Sequence, residues 1–221
     1  MRSSDGDPAF EKDLAIVQQE TERSTCIVQN LLSFSRGSSG EKHYLSINQA
    51  VESAIELRRY ELQLNNVTLD QQLQPDLPYA MVDAHQIQQV ALNLIVNAEQ
   101  AMVEASGGGA LVVATDTYDG MVRLSVTDTG PGIPPDAISK LFDPFFSTKD
   151  VGKGTGLGLS ISFGIIRDHG GRIRVENSPA GGARFIVEIP VVTQGSQSPG
   201  AEGIGSSESQ QSGGTGRGLG D

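Results

Sequence analysis

The chain has 221 residues, a net charge of −11 at neutral pH and a pI of about 4.7. This length accommodates one well-formed hydrophobic core or two small domains. A chain this acidic lacks the basic face that nucleic acid binding requires, so no nucleic acid partner is expected. The single cysteine, Cys26, excludes an internal disulfide framework and fits a reducing compartment.

The first 40 residues predict one helix between two small polar segments. Residues 1–9 are polar and expected to be disordered. Residues 10–36 carry a seam at a three/four spacing, which indicates a helix that packs against another helix: Phe10, Leu14, Val17, Val28 and Leu31. No apolar run approaches the roughly 18–20 residues that span a bilayer. The sequence therefore predicts a cytoplasmic chain without a membrane segment, although an intact parent protein can still be membrane-anchored.

Residues 44–192 predict an α+β domain, one mixed sheet covered on one face by about three helices. Strands are predicted at 45–47, 67–72, 79–82, 110–118, 121–128, 172–176 and 183–189, and helices at 48–64, 84–105 and 157–169. Asn48 and Asp83 are predicted helix caps. The expected apolar face of the first helix is Val51, Ala54, Ile55 and Leu57, and that of the second is Ile87, Val90, Ala91, Leu94 and Ala98. Residues 193–221 are rich in Gly, Ser and Gln and predict a disordered tail or linker.

A carboxylate stands at the end of one predicted strand. Asp128 is followed by Thr-Gly-Pro-Gly. Such a carboxylate can accept a hydrogen bond from the exocyclic amine of adenine, and Gly130 and Gly132 let the backbone approach a base closely. A plain strand-ending turn is the alternative, because Asp and Gly are common there.

Two asparagines stand four residues apart on the predicted helix 84–105, hence on one face. The amide oxygens of Asn93 and Asn97 suit Mg²⁺, which prefers oxygen ligands and takes few of them from protein. A polar helix face without a ligand is the alternative.

Residues 129–155 predict a long loop rich in Gly, Pro, Ser and Lys, of the kind that often acts as a lid. Its lysines, Lys149 and Lys153, are either phosphate contacts or solvated surface charges. Three aromatic residues in the loop are either anchors to the core or a surface for a partner helix: Phe142, Phe145 and Phe146.

The lid leads into a helix through an alternating glycine series. Amides at a helix N-terminus form an anion site, and flexible glycines let the loop close over phosphates. The series is Gly154, Thr155, Gly156, Leu157 and Gly158. Its spacing fits neither G-x-x-x-x-G-K-[ST] nor G-x-G-x-x-G, so a P-loop and a dinucleotide fingerprint are excluded.

Four stretches occur in order: residues 93–98, 128–132, 142–146 and 152–159. Together they resemble the N, G1, F and G2 boxes in the ATP-binding domain of sensor histidine kinases. The runs NAEQAM at 97–102, PFFSTK at 144–149 and HGG at 169–171 are similar to the nitrogen-regulation type. IVQNLLSFSR at 27–36 resembles the end of the second helix of that family's dimerisation hairpin. The resemblance covers about three quarters of the chain, residues 27–192.

This resemblance implies the Bergerat ATP-binding fold and a site for ATP and Mg²⁺. By resemblance, Asp128 holds adenine, Asn97 holds Mg²⁺, and Asn93, Lys149 and the glycine-rich lid surround the phosphates. The γ-phosphoryl group then goes to a histidine on a dimeric hairpin and on to an aspartate of a response-regulator receiver domain. Gyrase-like ATPases have a glutamate where this chain has Asn93, which favours a kinase over a hydrolase; Glu99 is expected on the wrong helical face to replace it.

The phosphoacceptor histidine is missing. His43, His85 and His169 are the only histidines, and none has an acidic neighbour on a seam helix. Structural roles are expected for all three, with His169 a cation at a helix C-terminus. Autophosphorylation of this chain alone is therefore not expected. A further departure is Ala183, where the family has Thr, and the lost hydroxyl is expected to weaken nucleotide affinity.

Two other functions remain open at this point. One is a non-catalytic remnant that binds ATP or a partner helix. The other is a serine kinase of the anti-sigma type, which shares the fold but lacks the hairpin. The seam helix and residues 31–36 argue against the serine kinase.

Overall fold

The structure, a computed structural model, describes residues 41–147, 155–179 and 181–192. The predicted helix at 10–36 and the tail at 193–221 lie outside these residues. The described helices are α1 (Asn48–Leu64), α2 (Ala84–Ser106), α3 (Pro135–Ile138) and α4 (Gly158–Asp168). The strands are β1 (His43–Leu45), β2 (Val67–Leu73), β3 (Ala80–Val82), β4 (Gly109–Tyr118), β5 (Met121–Asp128), β6 (Arg172–Asn177) and β7 (Ala183–Pro190).

A five-stranded mixed sheet forms the centre of the fold, in the order β2-β4-β5-β7-β6. Only β2 and β4 are parallel; the other neighbours are antiparallel. Helices α1, α2 and α4 supply the other half of the core, which confirms the predicted α+β class. The prediction of a single sheet was wrong, because β1 and β3 pair in a separate two-stranded sheet. Within the described ranges, no helix is long and apolar enough to cross a membrane.

Local signals set the ends of α2 and the turn between β4 and β5. The Asp83 side chain accepts hydrogen bonds from the amides of His85 and Gln86, which confirms the predicted cap. Gly107 ends α2 in the left-handed conformation, with φ of 71°. Asp119 and Gly120 both have positive φ, as a two-residue hairpin turn requires. The predicted apolar face of α2 is buried throughout.

The predictions for α1 failed at two residues. Asn48 is the first helical residue rather than the cap, and its side chain bonds instead to Gln74 O and the Thr115 hydroxyl, both at 2.8 Å. These tertiary partners compete with local capping. Leu57 is 58 % exposed, because α1 turns Val51, Ala54 and Ile55 inward and leaves Leu57 facing solvent.

The buried carboxylate Glu99 joins α2 to α1. Its oxygens accept hydrogen bonds from Arg58 Nη2 and Asn65 Nδ2, both at 2.7 Å. A buried carboxylate is stable only with such partners. Glu99 is therefore engaged in packing, in agreement with the expectation that it cannot act beside Asn93.

Candidate nucleotide-binding site

The buried carboxylate at the end of β5 has one oxygen satisfied and one free of described donors. Asp128 is only 3 % exposed. Its Oδ1 accepts hydrogen bonds from Gly130 N at 2.8 Å and Ala183 N at 3.1 Å. No described residue donates to Oδ2. A buried acceptor without a partner is costly, so Oδ2 fits a donor such as the amine of adenine.

Burial raises the pKa of the Asp128 carboxyl, and the amides of Ala183 and Gly130 partly offset that rise. Both amides point to the same oxygen, so the orientation of the carboxylate is fixed before a ligand arrives. A fixed acceptor in a poorly solvated turn discriminates strongly between ligands that donate and ligands that do not. This geometry is the main departure from an ordinary strand-ending turn.

The turn after Asp128 is held by a residue that sequence reasoning missed. Asn177, at the end of β6, accepts a hydrogen bond from Ile133 N at 2.8 Å and donates one to Ile133 O at 2.9 Å. Gly132, with φ of 77°, lies against that amide. The only sequence signal was an asparagine at a strand end, which is too common to indicate this role.

Helix α2 connects the two ends of the site. Asn93 Nδ2 donates to Gly158 O at 3.1 Å and to the Ser162 hydroxyl at 3.3 Å, at the start of α4. Two turns later, Ala101 lies against Gly130. Asn97 lies between these contacts on the same face, about 6 Å along the axis from each.

Asn97 is half-buried, and no hydrogen bond joins its side chain to any other residue that the structure describes. Its position along α2 lies between the contacts that this helix makes with Gly158 and with Gly130. Among the described residues, no cluster of three or more His, Cys, Asp or Glu side chains could hold a metal ion. A cation bound beside Asn97 therefore has to take most of its ligands from groups other than the described His, Cys, Asp and Glu side chains.

Phe145, within the predicted lid, contacts Gly156 just before α4. Phe145 N donates to Gly156 O at 3.0 Å, and a Cβ on Gly156 would lie 2.5 Å from the Phe145 backbone. Thr155 accepts a hydrogen bond from Leu157 N, and no described side chain caps α4. The amides of the first turn thus remain suitable for an anion.

Helix α3 interrupts the predicted loop, and Lys149, Lys153 and Gly154 lie outside the described residues.

The three phenylalanines divide between the two roles predicted for them. Phe142 packs against the core and against Phe163, with ring centroids 5.6 Å apart. Phe146 is half-buried, whereas Phe145 is 74 % exposed and has φ of 66°. Phe142 is thus an anchor, and Phe145 offers an exposed aromatic surface within the lid.

His169 is buried and neutral, so the prediction of a cation at this helix end was wrong. Desolvation lowers the pKa of its imidazole. Its Nε2 accepts a hydrogen bond from Asp83 N at 3.0 Å, and its Nδ1 lies 2.7 Å from Ile165 O. A second proton on the ring would remove the acceptor for Asp83.

The pKa of His169 predicts a loss of stability in mild acid. The folded chain resists protonation of His169, while the unfolded chain binds the proton near the ordinary pKa of 6.5. Stability should therefore be complete above pH 6.5 and fall as the pH drops toward the lowered folded-state pKa. Thermal unfolding between pH 8 and pH 5, with His169→Gln as the control, measures the contribution. Parallel pH curves for the two chains would contradict this assignment.

A cavity of about 580 Å³ lies away from these residues, at the start of α1. Its lining includes Glu52 and Asp76 and has no cationic side chain. The negative charge of this lining repels a triphosphate. The Asp128 turn, Asn97 and the start of α4 therefore make the better nucleotide site.

Three features are those expected of a nucleotide-binding domain. They are a buried carboxylate at the end of a strand in a mixed sheet, an asparagine-bearing helix, and a helix that no described side chain caps. Residues 82–193 match the family described as histidine kinase-, DNA gyrase B-, and HSP90-like ATPase. The chain belongs to this family, and the relatives that it matches are named sensor histidine kinases.

The similar proteins include sensor protein FixL of Bradyrhizobium diazoefficiens, 36 % identical over 85 % of this chain and 37 % of FixL. Sensory histidine kinase/phosphatase NtrB of Vibrio alginolyticus is 31 % identical over 84 % of this chain and 54 % of NtrB. The chain thus spans between about a third and about half of the length of these relatives.

Two solved structures share the fold over most of the chain. Histidine kinase ThkA in complex with response regulator protein TrrA has a TM-score of 0.69 and 30 % identity, covering 85 % of this chain and 53 % of that one. Full-length ShkA in complex with AMPPNP has a TM-score of 0.69 and 26 % identity, covering 83 % and 39 %.

Proposed function

We propose that this chain binds Mg²⁺-ATP and transfers its γ-phosphoryl group to a histidine on a dimerisation hairpin. The observation that carries the proposal is buried Asp128: two amides hold its Oδ1, and no residue in the described part of the chain donates to its Oδ2. The complex of ShkA with the ATP analogue AMPPNP supports the same ligand class. Gly130 and Gly132 give the base close access to the backbone.

In this proposal α2 and α4 hold the phosphate end. Asn97 supplies an amide oxygen to Mg²⁺, whose remaining ligands come from the phosphates and water. The first-turn amides of α4 bind phosphate oxygens, with Asn93, Thr155 and Lys149 beside them. Lys153, Gly154, Gly156, Leu157 and Gly158 complete the cofactor-binding set. When bound, ATP supplies the activated phosphoryl group, and the chain contributes binding, orientation and charge neutralisation.

The side chains near the phosphate end favour transfer to a protein acceptor over hydrolysis. Asn93 is an amide and cannot take a proton from water. Glu99, the nearest carboxylate along α2, is buried and paired with Arg58 and Asn65. Neither of these described side chains can therefore act as a base toward water, whereas a histidine is itself a nucleophile near neutral pH.

We further propose that exposed Phe145, with Phe163 beside the lid, contacts the helix that carries the acceptor. Large apolar groups at the mouth of a site are suited to such a contact. The partners of the intact protein are a second copy of the hairpin and the receiver domain of a response regulator, and the location is cytoplasmic. The ThkA–TrrA complex supports the response-regulator partner.

Phosphotransfer to a separately produced hairpin with an acceptor histidine tests this function. With labelled ATP and Mg²⁺, we expect acid-labile, base-stable label on the hairpin and none on this chain alone. Asp128→Asn should abolish the labelling. Release of free phosphate without labelling of the hairpin would contradict the proposal and indicate a hydrolase.

A further inference from the structure

Helix α4 is tied to α2 at both of its ends. At the lid end, Asn93 of α2 donates to Gly158 O and the Ser162 hydroxyl. At the other end, His169 Nε2 accepts a hydrogen bond from Asp83 N, in the residue that caps α2. The two ties stand at opposite ends of an eleven-residue helix, about 16 Å apart.

The His169 tie requires one form of the imidazole. Ile165 O can only accept, so Nδ1 carries the proton and donates across 2.7 Å. Nε2 is then an acceptor and matches the Asp83 amide. His169 is 7 % exposed, and the charged groups that act on its imidazole are Lys42, Asp83 and Asp168. Lys42 Nζ donates to Asp168 O, so the residue just before β1 also contacts this end of α4.

We propose that His169 is a positioning residue for the phosphate end of the nucleotide site. It fixes the angle at which α4 presents its first-turn amides. The inference rests on the proposed function, because only the binding of a phosphate group depends on the position of these amides. When Asn93 turns toward such a ligand, its bonds to Gly158 and Ser162 are lost. The His169 link then remains at the far end to hold α4 against α2.

The adenine end does not depend on this tie. Asp128 is oriented by amides of Gly130 and Ala183, which belong to the β5 turn and β7. A change at His169 should therefore lower the affinity for ligands that carry phosphates and leave the affinity for ligands without phosphates unchanged. A general loosening of the fold would weaken both.

Two near-isosteric variants separate the two hydrogen bonds of His169. His169→Asn retains a donor near the Nδ1 position but does not reach Asp83. His169→Gln can place its amide oxygen near the Nε2 position and accept from the Asp83 amide. The affinities of both variants and of the parent chain are measured well below the melting temperature. Calorimetry gives the affinity for Mg²⁺-ATP, and NMR titration gives the affinity for adenosine.

We expect His169→Asn to weaken ATP binding about tenfold, the equivalent of one lost hydrogen bond. Adenosine affinity should stay within about twofold, and His169→Gln should recover most of the ATP affinity. Equal losses for ATP and adenosine, or no ATP loss in His169→Asn, would overturn the inference.

Hydrogen exchange in the ligand-free chains distinguishes failure of the inference from failure of the proposed function. Faster exchange at Asp83 and in α4 of His169→Asn, reversed in His169→Gln, supports the tie itself. If the parent chain nevertheless binds no ATP, the proposed function fails and the positioning role fails with it. Unchanged exchange in His169→Asn overturns the inference whatever ATP does.

Discussion

The Asp128→Asn chain is expected to bind ATP at least about a hundredfold more weakly than the parent while unfolding at the same or a higher temperature. The amide oxygen of the variant retains the bonds from Gly130 N and Ala183 N, so the turn keeps its shape. Its amide nitrogen replaces Oδ2 and opposes the amine of adenine, two donors facing each other.

The expected gain in stability follows from the raised pKa of the Asp128 carboxyl. A folded-state pKa above the unfolded one means that the charged form is disfavoured in the folded chain at neutral pH. A neutral amide removes that penalty. Calorimetric titration and thermal unfolding measure the two effects on the same samples.

Asp119→Asn is the matched control for this substitution. Asp119 lies in the β4–β5 turn with φ of 50°, a conformation that asparagine tolerates well. The control should change neither ATP affinity nor stability. Parent-like ATP affinity in Asp128→Asn would show that Asp128 does not hold the base.

Gly182→Ala is expected to destabilise the chain by about 3 kcal/mol or more, the second large effect. A Cβ at Gly182 would lie 1.9 Å from the carbonyl oxygen of Asp128, and the residue has φ of 80°. The clash involves backbone, which cannot rotate away as a side chain can. Relief requires β7 to separate from the end of β5, which also removes the Ala183 amide from Asp128.

Gly181→Ala controls for backbone strain. Gly181 has φ of 98° but nothing within 4 Å of a Cβ, so its alanine variant meets strain without a clash. We expect a cost of about 1–2 kcal/mol there. Urea unfolding of both variants measures the difference. Equal destabilisation would mean that strain alone accounts for Gly182 and that close contact with Asp128 is unimportant.

The features that the sequence predicted well are those with local causes. Asp83 caps α2 through amides two and three residues away, and Asp119-Gly120 forms a turn whose conformation those residues favour. The strand that ends at Asp128 followed from its apolar run and the Thr-Gly-Pro-Gly that stops it. The four motifs, in order, identified the family.

The features that sequence reasoning missed depend on contacts distant in the chain. Asn48 bonds to Thr115 rather than to its own helix, and His169 binds Asp83, 86 residues away. Asn177 holds Ile133, 44 residues away. No local pattern encodes these pairings, because they arise only when the sheet brings the elements together. The same reason explains why His169 was expected to be charged: its burial is a property of the fold.

Titration of the parent chain with ATP and with GTP, each in Mg²⁺, tests the central claim most directly. Adenine offers an amine to Asp128 Oδ2, whereas guanine offers a carbonyl oxygen at that position and faces the carboxylate as a second acceptor. We expect one ATP to bind per chain, dependent on Mg²⁺, and GTP to bind at least about a hundredfold more weakly. Absence of ATP binding, or equal affinity for the two nucleotides, would contradict it.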